Sequence, residues 1–245
     1  MRTTPRTTIA SARRFRAVCF DLDETLVDSA VAWRQGFLDA FAVEVAPRYA
    51  ELGTTPEPLL ALQPFLVAEV EARHGRWGET VIRDAVRKFF RSHGIEDGRA
   101  ADRTTEAYEA AWPRHITLFP DALGALDAAR ACGRVAVITN GPSEAQRLKL
   151  ERTGLLDHFD VVAISGEVGA EKPDLEIFSH ALDRLGVPAT EAVHIGDNLT
   201  MDIRGARDAG MTAVWLNRHG GGHPPEADEP HHEVPDLDAF VALLG

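Results

Sequence analysis

Five short apolar runs constrain the fold of this chain more than any other feature: AVCF at 17–20, RVAVI at 134–138, FDVVAI at 159–164, AVHI at 192–195 and TAVWL at 212–216. Each is rich in β-branched residues, nearly free of alternation and bounded by turn signals, the pattern of parallel strands buried on both faces. Helical patterns separate the later runs. DALGALDAARACG closes on Gly133, a natural C-cap position. SEAQRLKLERTG opens on Ser143 and Gln146, spaced as a capping box, and closes on Gly154. LEIFSHALDRLG and TMDIRGARDAG also end in glycine. Strand and helix alternating from about residue 117 onward predict an α/β fold, a doubly wound (Rossmann-like) parallel sheet.

The interval from 29 to 114 breaks that rhythm. Its periodicity predicts helices over 29–46, 57–73, 79–93 and 99–112, with breaks near Pro47, Pro56, Gly75 to Gly78 and Gly94 to Gly98, and no strand. The expected organisation is therefore an α/β core from 1–28 and 115–245, with an all-helical domain, 29–114, inserted after the first strand. At 245 residues the chain has ample material for both. HGGGHPPEADEPHH, 219–232, reads as a surface loop from its Gly and Pro content.

A formal charge of −12 argues against non-specific binding to a nucleic acid polymer or an anionic membrane, because the long-range field repels polyanions. A small anionic substrate remains compatible, since a local cation overrides the global field. Two cysteines, Cys19 and Cys132, sit in apolar stretches and make no disulfide framework, which fits a reducing compartment. No run approaches the roughly 18 apolar residues of a membrane span. Residues 1–16 hold five arginines and no acid, without the apolar stretch of a signal peptide. They read as a flexible basic tail, and the cytoplasm is the expected location.

Ligands in an open parallel sheet sit beyond the carboxyl ends of the strands, so the residues following each apolar run carry the chemistry. After the first run come Asp21 and Asp23, whose side chains leave on the same side if the chain stays extended. After RVAVI come Thr139, Asn140 and Gly141, a hydroxyl, an amide and backbone N–H groups at a helix start, together a phosphate cradle. Lys172 precedes the DLEIF helix; Asp197 and Asn198 follow AVHI, with Asp202 five positions beyond Asp197. Carboxylates converging at one edge call for a hard cation, and Mg2+ prefers carboxylate and carbonyl oxygens. Asp21 and Asp197 are the candidate carboxylate ligands, with the Asp23 backbone carbonyl a third. Ionised Asp21 is a competent nucleophile toward a phosphate monoester. Asp23 is placed to protonate the leaving alkoxide and then activate water. Lys172, one of three lysines in an arginine-rich chain, is a compact positive charge for phosphate oxygens.

DLDET, TNG, EKP and GDNLTMD resemble, in order, the four motifs of the haloacid dehalogenase superfamily. Asp23 matches its phosphatases rather than its dehalogenases. The resemblance covers residues 17–28 and about 115–245, and the helical insert resembles the helical-bundle cap of the phosphatase-type subfamily. It implies a Mg2+-dependent phosphohydrolase acting on a small phosphorylated metabolite through an aspartyl-phosphate. Asp21 would be nucleophile, Asp23 acid and base, Thr139 and Lys172 phosphate ligands and Asp197 a metal ligand. Asp202 matches the second acid of the fourth motif, which supports the metal through water or Lys172. Glu24 falls at a variable position and receives no role.

Two other readings stand beside hydrolysis. One is phosphoryl transfer back to the substrate, as in sugar phosphomutases that resemble this subfamily; the other is a catalytically silent binding module, against which the intact Asp21 and Asp23 pair argues. His219, His223, His231 and His232 match no closed zinc ligand set, so an exposed loop is preferred. Trp33, Trp77 and Trp112 fall in the insert, where core packing is the default.

Overall fold

A computed structural model describes residues 15–44, 81–92, 94, 98–224 and 226–245. The basic tail through residue 14, the helix expected over 57–73 and Trp77 lie outside the described residues. In chain order the described strands are β1 (Ala17–Phe20), β2 (Arg134–Thr139), β3 (Val161–Ile164), β4 (Ala192–Gly196), β5 (Thr212–Leu216) and β6 (His232–Val234). They form one sheet in the order β3-β2-β1-β4-β5-β6, every pairing parallel. This is the doubly wound order with β1 at its centre, and the chain reverses direction across the sheet between β2 and β4. The five apolar runs are all strands. The sixth was not anticipated: β6 begins at His232, the last residue of the segment read as surface loop, and pairs with β5 at the sheet edge. Three residues with one buried position carry no apolar period to detect.

The described helices are α1 (Ser29–Glu44), α2 (Val81–Ser92), α3 (Gly98–Ala111), α4 (Ala122–Cys132), α5 (Ser143–Arg152), α6 (Leu175–Leu185) and α7 (Leu237–Leu244), with shorter helical turns between them. Alternation along the strands divides the core in two. Val18, Phe20 and Leu22 join Val135, Val137, Val193, Ile195, Val214 and Leu216 beneath apolar residues of α4 and α7. On the other face, Ala17 and Cys19 join Ala136, Ile138 and Ala213 beneath Ile177, Phe178 and Ala181 of α6. Asp21 follows in the second row, but the extended stretch expected to carry Asp21 and Asp23 out together ends there: the chain bends at Leu22, and the two carboxylates take different partners, Lys172 for Asp21 and Lys149 for Asp23.

The described part of the insert has its own apolar cluster, in which Phe37 and Phe41 of α1, Phe89 and Phe90 of α2 and Tyr108 of α3 pack together. Trp33 and Trp112 lie against it, the packing role expected of them. Gly36 is held close: a Cβ there would meet the Trp112 Cα at 2.5 Å, so α1 lies directly on the 3-10 turn Trp112–His115.

The chain returns from the insert beside the point where it left. Asp28 N–H donates to the Thr117 carbonyl at 3.0 Å, and Phe119 N–H to the Leu26 carbonyl at 3.0 Å. Arg218, just after β5, locks this crossing. Its guanidinium forks onto Asp121 at 2.9 Å for both nitrogens, donates to the Thr25 carbonyl at 2.9 Å and lies over the Phe119 ring at 4.0 Å. Asp121 also accepts the Leu237 N–H at 2.8 Å. Burial pushes the Asp121 carboxyl up, but the Arg218 fork and the Leu237 amide outweigh it and hold the carboxyl below its ordinary value. A depressed carboxyl stabilises the fold above the ordinary carboxylate range, and that contribution drains away as pH falls through the lowered value. Asp121→Asn therefore lowers the melting temperature at pH 7 by a few degrees, for a loss of roughly 1–3 kcal/mol. The gap to wild type narrows as melting is repeated toward pH 3, and a gap constant with pH would show that the charge is not what matters.

Candidate functional site

β1 is flanked by β2 and β4, so the residues just past these three strands meet at one edge. Asp21 extends the pairing of β1 through its N–H, which donates to the Ile195 carbonyl at 2.9 Å. Thr139 ends β2, and Asp197 follows β4. Lys172 comes over the edge from the turn before α6, preceded by its own anchoring. Asn140 Nδ2 donates to the Lys172 carbonyl at 2.9 Å, and the Lys172 N–H donates to Asn140 Oδ1 at 2.7 Å.

Lys172 Nζ lies 2.6 Å from both Asp21 Oδ1 and Asp202 Oδ1. All three side chains are buried. Asp21, Asp197 and Asp202 offer carboxylate oxygens within 4.8 Å of one another, which places Asp202 inside the cluster rather than behind it. Among the described residues this is the one such cluster of acids, histidines or cysteines, and the four histidines around 219–232 form none. His231 instead accepts the Ala213 N–H at Nδ1, 3.0 Å away.

The electrostatics follow from crowding. Burial raises the Asp21 carboxyl well above its ordinary value; Lys172 pulls it down, but Asp202, Asp197 and Asp23 push it up again. Asp197 is raised to about 7 by burial and then by Asp202. Asp202 goes the other way: despite burial, Lys172 and His194 hold its carboxyl far below the ordinary range. Burial alone would lower the Lys172 ammonium, but Asp202 and Asp21 reverse this and raise it, so it stays charged. Two carboxylates that resist ionising beside a third that does not could serve as the donor set of a hard cation, whose charge would relieve the repulsion.

Asp202 is supported from three sides. Besides Lys172 it meets His194 Nε2 at 3.0 Å and accepts the Asn198 N–H at 3.0 Å. Asn198 itself caps the turn Leu199–Arg204, its Oδ1 accepting the N–H groups of Thr200 and Met201. Gly196 is required by this packing: a Cβ would fall 2.3 Å from the Asp202 carboxyl carbon. His194 carries no motif, being one more residue of a buried strand, and only the structure reveals it.

Two expectations at this edge need correction. Ser143 and Gln146 do not form a capping box: the N-cap of α5 is Pro142, the Ser143 hydroxyl donates to Glu167, and Gln146 points inward to Asp23 and Thr139. Local spacing suggested a cap, but tertiary partners claimed both side chains. The free backbone N–H groups expected after Thr139 are also partly spoken for. Gly141 N–H donates to Ser165 Oγ at 2.9 Å, Pro142 has none, and the Asn140 side chain is committed to Lys172. The Thr139 hydroxyl, buried at the strand end and held by Gln146 Nε2 at 2.5 Å, remains at the edge.

Asp23 sits apart from the three-carboxylate cluster. Lys149 Nζ is 2.5 Å from its Oδ1, which also accepts the Ser29 hydroxyl, and Gln146 Nε2 is 2.8 Å from its Oδ2. Burial works against ionisation, but Lys149, Ser29 and Gln146 prevail and hold the carboxyl below its ordinary value. Next to it Glu24 takes a left-handed backbone, φ 56°, and its Oε1 accepts the Ala30 N–H at 2.7 Å, turning the chain into α1.

Comparisons with known proteins agree with this geometry. The family model described as haloacid dehalogenase-like hydrolase matches residues 15–210. Pyrimidine 5'-nucleotidase YjjG of Escherichia coli is 33% identical over 93% of this chain and 96% of its own. N-acylneuraminate-9-phosphatase of Rattus norvegicus is 30% identical over 94% of each chain. The crystal structure of the HAD-hydrolase YfnB from Bacillus subtilis, described as bound to magnesium, superposes with a TM-score of 0.80 over 95% of this chain and 99% of that one, at 22% identity. No helix among the described residues is long and apolar enough to cross a membrane. The ordered motifs, the sheet edge that gathers them and the span of the family match together place the chain in the haloacid dehalogenase-like hydrolase family.

Proposed function

We propose that the chain hydrolyses a small phosphate monoester in a Mg2+-dependent reaction through an aspartyl-phosphate on Asp21. The observation that carries this reading is the meeting of Asp21, Thr139, Lys172 and Asp197 at one sheet edge, with Asp23 two residues past Asp21. The match to relatives named as phosphatases supports it. Their names point to different substrates, so the proposal is to the ester class. Asp21, Asp197 and Asp202, the last through Oδ2, which accepts only the Asn198 N–H among the described residues, or through a water, would hold Mg2+, joined by the Asp23 backbone carbonyl. Bound there, Mg2+ would neutralise charge on the phosphate and orient it.

The chain's own groups then divide the work. A carboxylate oxygen of Asp21 attacks phosphorus, while Lys172 and the Thr139 hydroxyl meet the non-bridging phosphate oxygens. Asp23 hands a proton to the departing alkoxide. Ionised Asp23, the form its neighbours favour, next takes a proton from water as that water attacks phosphorus and frees Asp21. An arriving phosphate dianion adds negative charge beside Asp23, which makes protonation for the first half easier. Residues 1–28 and 115–245 form the catalytic core in this proposal, and 29–114 a cap that shields the site and selects the leaving group. Release of phosphate from p-nitrophenyl phosphate is the direct test: it requires Mg2+, stops with EDTA and returns when Mg2+ is restored. Turnover that persists in EDTA would sink the proposal.

A further inference from the structure

Helix α5 presents two side chains to Asp23 that belong to none of the four motifs. Gln146 is 2% exposed, and its Nε2 lies 2.8 Å from Asp23 Oδ2, 2.5 Å from Thr139 Oγ1 and 3.1 Å from the Asn140 carbonyl. Lys149, three residues on and so on the same helix face, places Nζ 2.5 Å from Asp23 Oδ1 and 2.8 Å from Gln146 Oε1. The second contact fixes the amide: an ammonium only donates, so Oε1 faces Lys149 and Nε2 must face Asp23 and Thr139.

Counting lone pairs then separates the two oxygens of Asp23. Each oxygen of a carboxylate offers about two acceptor sites. Oδ1 accepts from both Lys149 Nζ and the Ser29 hydroxyl, which fills it. Oδ2 accepts only from Gln146 among the described residues, which leaves one site open. We infer that Gln146 and Lys149 are positioning residues for proton transfer, holding Asp23 so that Oδ2 is the oxygen that gives and takes the proton. Gln146 also ties this carboxylate to the Thr139 hydroxyl, so the proton carrier and a phosphate ligand share one anchor. The inference rests on the reading of Asp23 as acid and base.

The proton count closes over both halves. As the ester P–O bond breaks, its electron pair stays on the leaving oxygen, which takes the proton from Asp23 Oδ2 while Asp21 forms the new P–O bond. As water adds to phosphorus, its proton goes to Oδ2 and the P–O bond to Asp21 breaks, returning both aspartates to their starting state.

A structural role alone, tying α5 to the sheet, makes a different forecast, and the leaving group separates the two. The ratio kcat/KM reports steps up to the first irreversible one, here transfer of the phosphoryl group to Asp21 with departure of the leaving group. Phenolate needs a proton to leave well; p-nitrophenolate does not. With the full chain in Mg2+, Lys149→Met and Gln146→Leu each lower kcat/KM for phenyl phosphate by roughly 10- to 100-fold, but for p-nitrophenyl phosphate by less than about 3-fold. Lys149→Arg, which keeps the charge and a donor, recovers most of the phenyl phosphate activity. Equal losses on the two esters in a variant that melts as wild type does, or no loss on either, would overturn the inference. Should Gln146→Leu fail to fold, the Lys149 pair of variants decides alone. Wild type that turns over neither ester, or Asp21→Asn that turns over both, removes the phosphatase reading itself; an unaltered leaving-group dependence in an enzyme that passes this control removes only the roles of Gln146 and Lys149.

Discussion

Asp21→Asn abolishes turnover and at the same time makes the metal-free protein harder to unfold. The loss of activity follows from the chemistry: an amide keeps the shape and can still accept from Lys172, but it is no nucleophile, and kcat drops by roughly 10⁴-fold or more. The gain in stability follows from the site's electrostatics. Burial, and then Asp202, Asp197 and Asp23, raise the Asp21 carboxyl against the single opposing pull of Lys172. A carboxyl whose folded pKa lies above its unfolded value favours the fold when protonated, and that contribution is lost as pH rises through the folded value. Ionising Asp21 in the fold is thus a cost that asparagine removes. In EDTA at pH 7 the variant melts higher, each 1 kcal/mol gained being read as about 2–4 °C in a chain of this size. Near pH 4 the difference shrinks, because wild-type Asp21 is then protonated as well. Mg2+ closes the gap from the other side by raising the wild-type melting temperature more than the variant's. A variant that melts lower than wild type at pH 7 in EDTA would mean the Asp21–Lys172 pair outweighs the crowding, and retained turnover would remove Asp21 as nucleophile.

What the sequence made legible, and what it hid, divides along a physical line. Buried parallel strands announce themselves because both faces must be apolar, and all five apolar runs became strands in one sheet. Residues at strand ends are then placed by topology, which is why the sequence alone brings Asp21, Thr139 and Asp197 to one edge. The alternation expected to put Asp21 and Asp23 on one side did not carry through, because β1 ends at Phe20 and the chain bends at Leu22, whose side chain enters the opposite core. Contacts made across the fold left no such mark. Gln146 and Lys149 read as part of a helical pattern, and His194 as one residue of a buried run; each is marked out only by a partner distant in sequence or hidden across the fold, Asp23 or Asp202. Gln146 shows the limit most clearly, since its spacing from Ser143 matched a local motif while its hydrogen bonds went to Asp23, 123 positions away. The edge strand β6 failed for the opposite reason: it is too short and too exposed to carry a hydrophobic signal.

Lys172→Met has the largest expected effect on the fold itself. Its ammonium is 3% exposed and sits between Asp21 and Asp202, 2.6 Å from each, as the cation shared by both. Methionine fills a similar volume but leaves the carboxylates facing each other in a buried space, with Asp202 still held by His194 and the Asn198 amide. Removing one partner of a buried pair typically costs about 3–5 kcal/mol, because the other charge stays buried and unpaired. The lysine itself adds no pH dependence near neutrality: its pKa is raised, so its contribution is complete below the ordinary lysine range and fades only above it. The carboxylates supply the dependence instead. In EDTA the variant lies furthest below wild type at pH 7, and the difference narrows toward pH 4 as Asp21 and its neighbours take up protons that relieve their repulsion. Activity falls by roughly 10²–10³-fold or more even in Mg2+, the scale on which removal of one transition-state donor is felt. The double variant Asp21→Asn with Lys172→Met is the decisive measurement. If the lysine's main structural task is to offset Asp21, the two changes together cost less than the sum of the two measured singly, with a coupling of about 1–3 kcal/mol. Additive effects would instead assign the lysine's stabilising role to Asp202, and leave Asp21 as a charge the fold tolerates only for what it does to a phosphate.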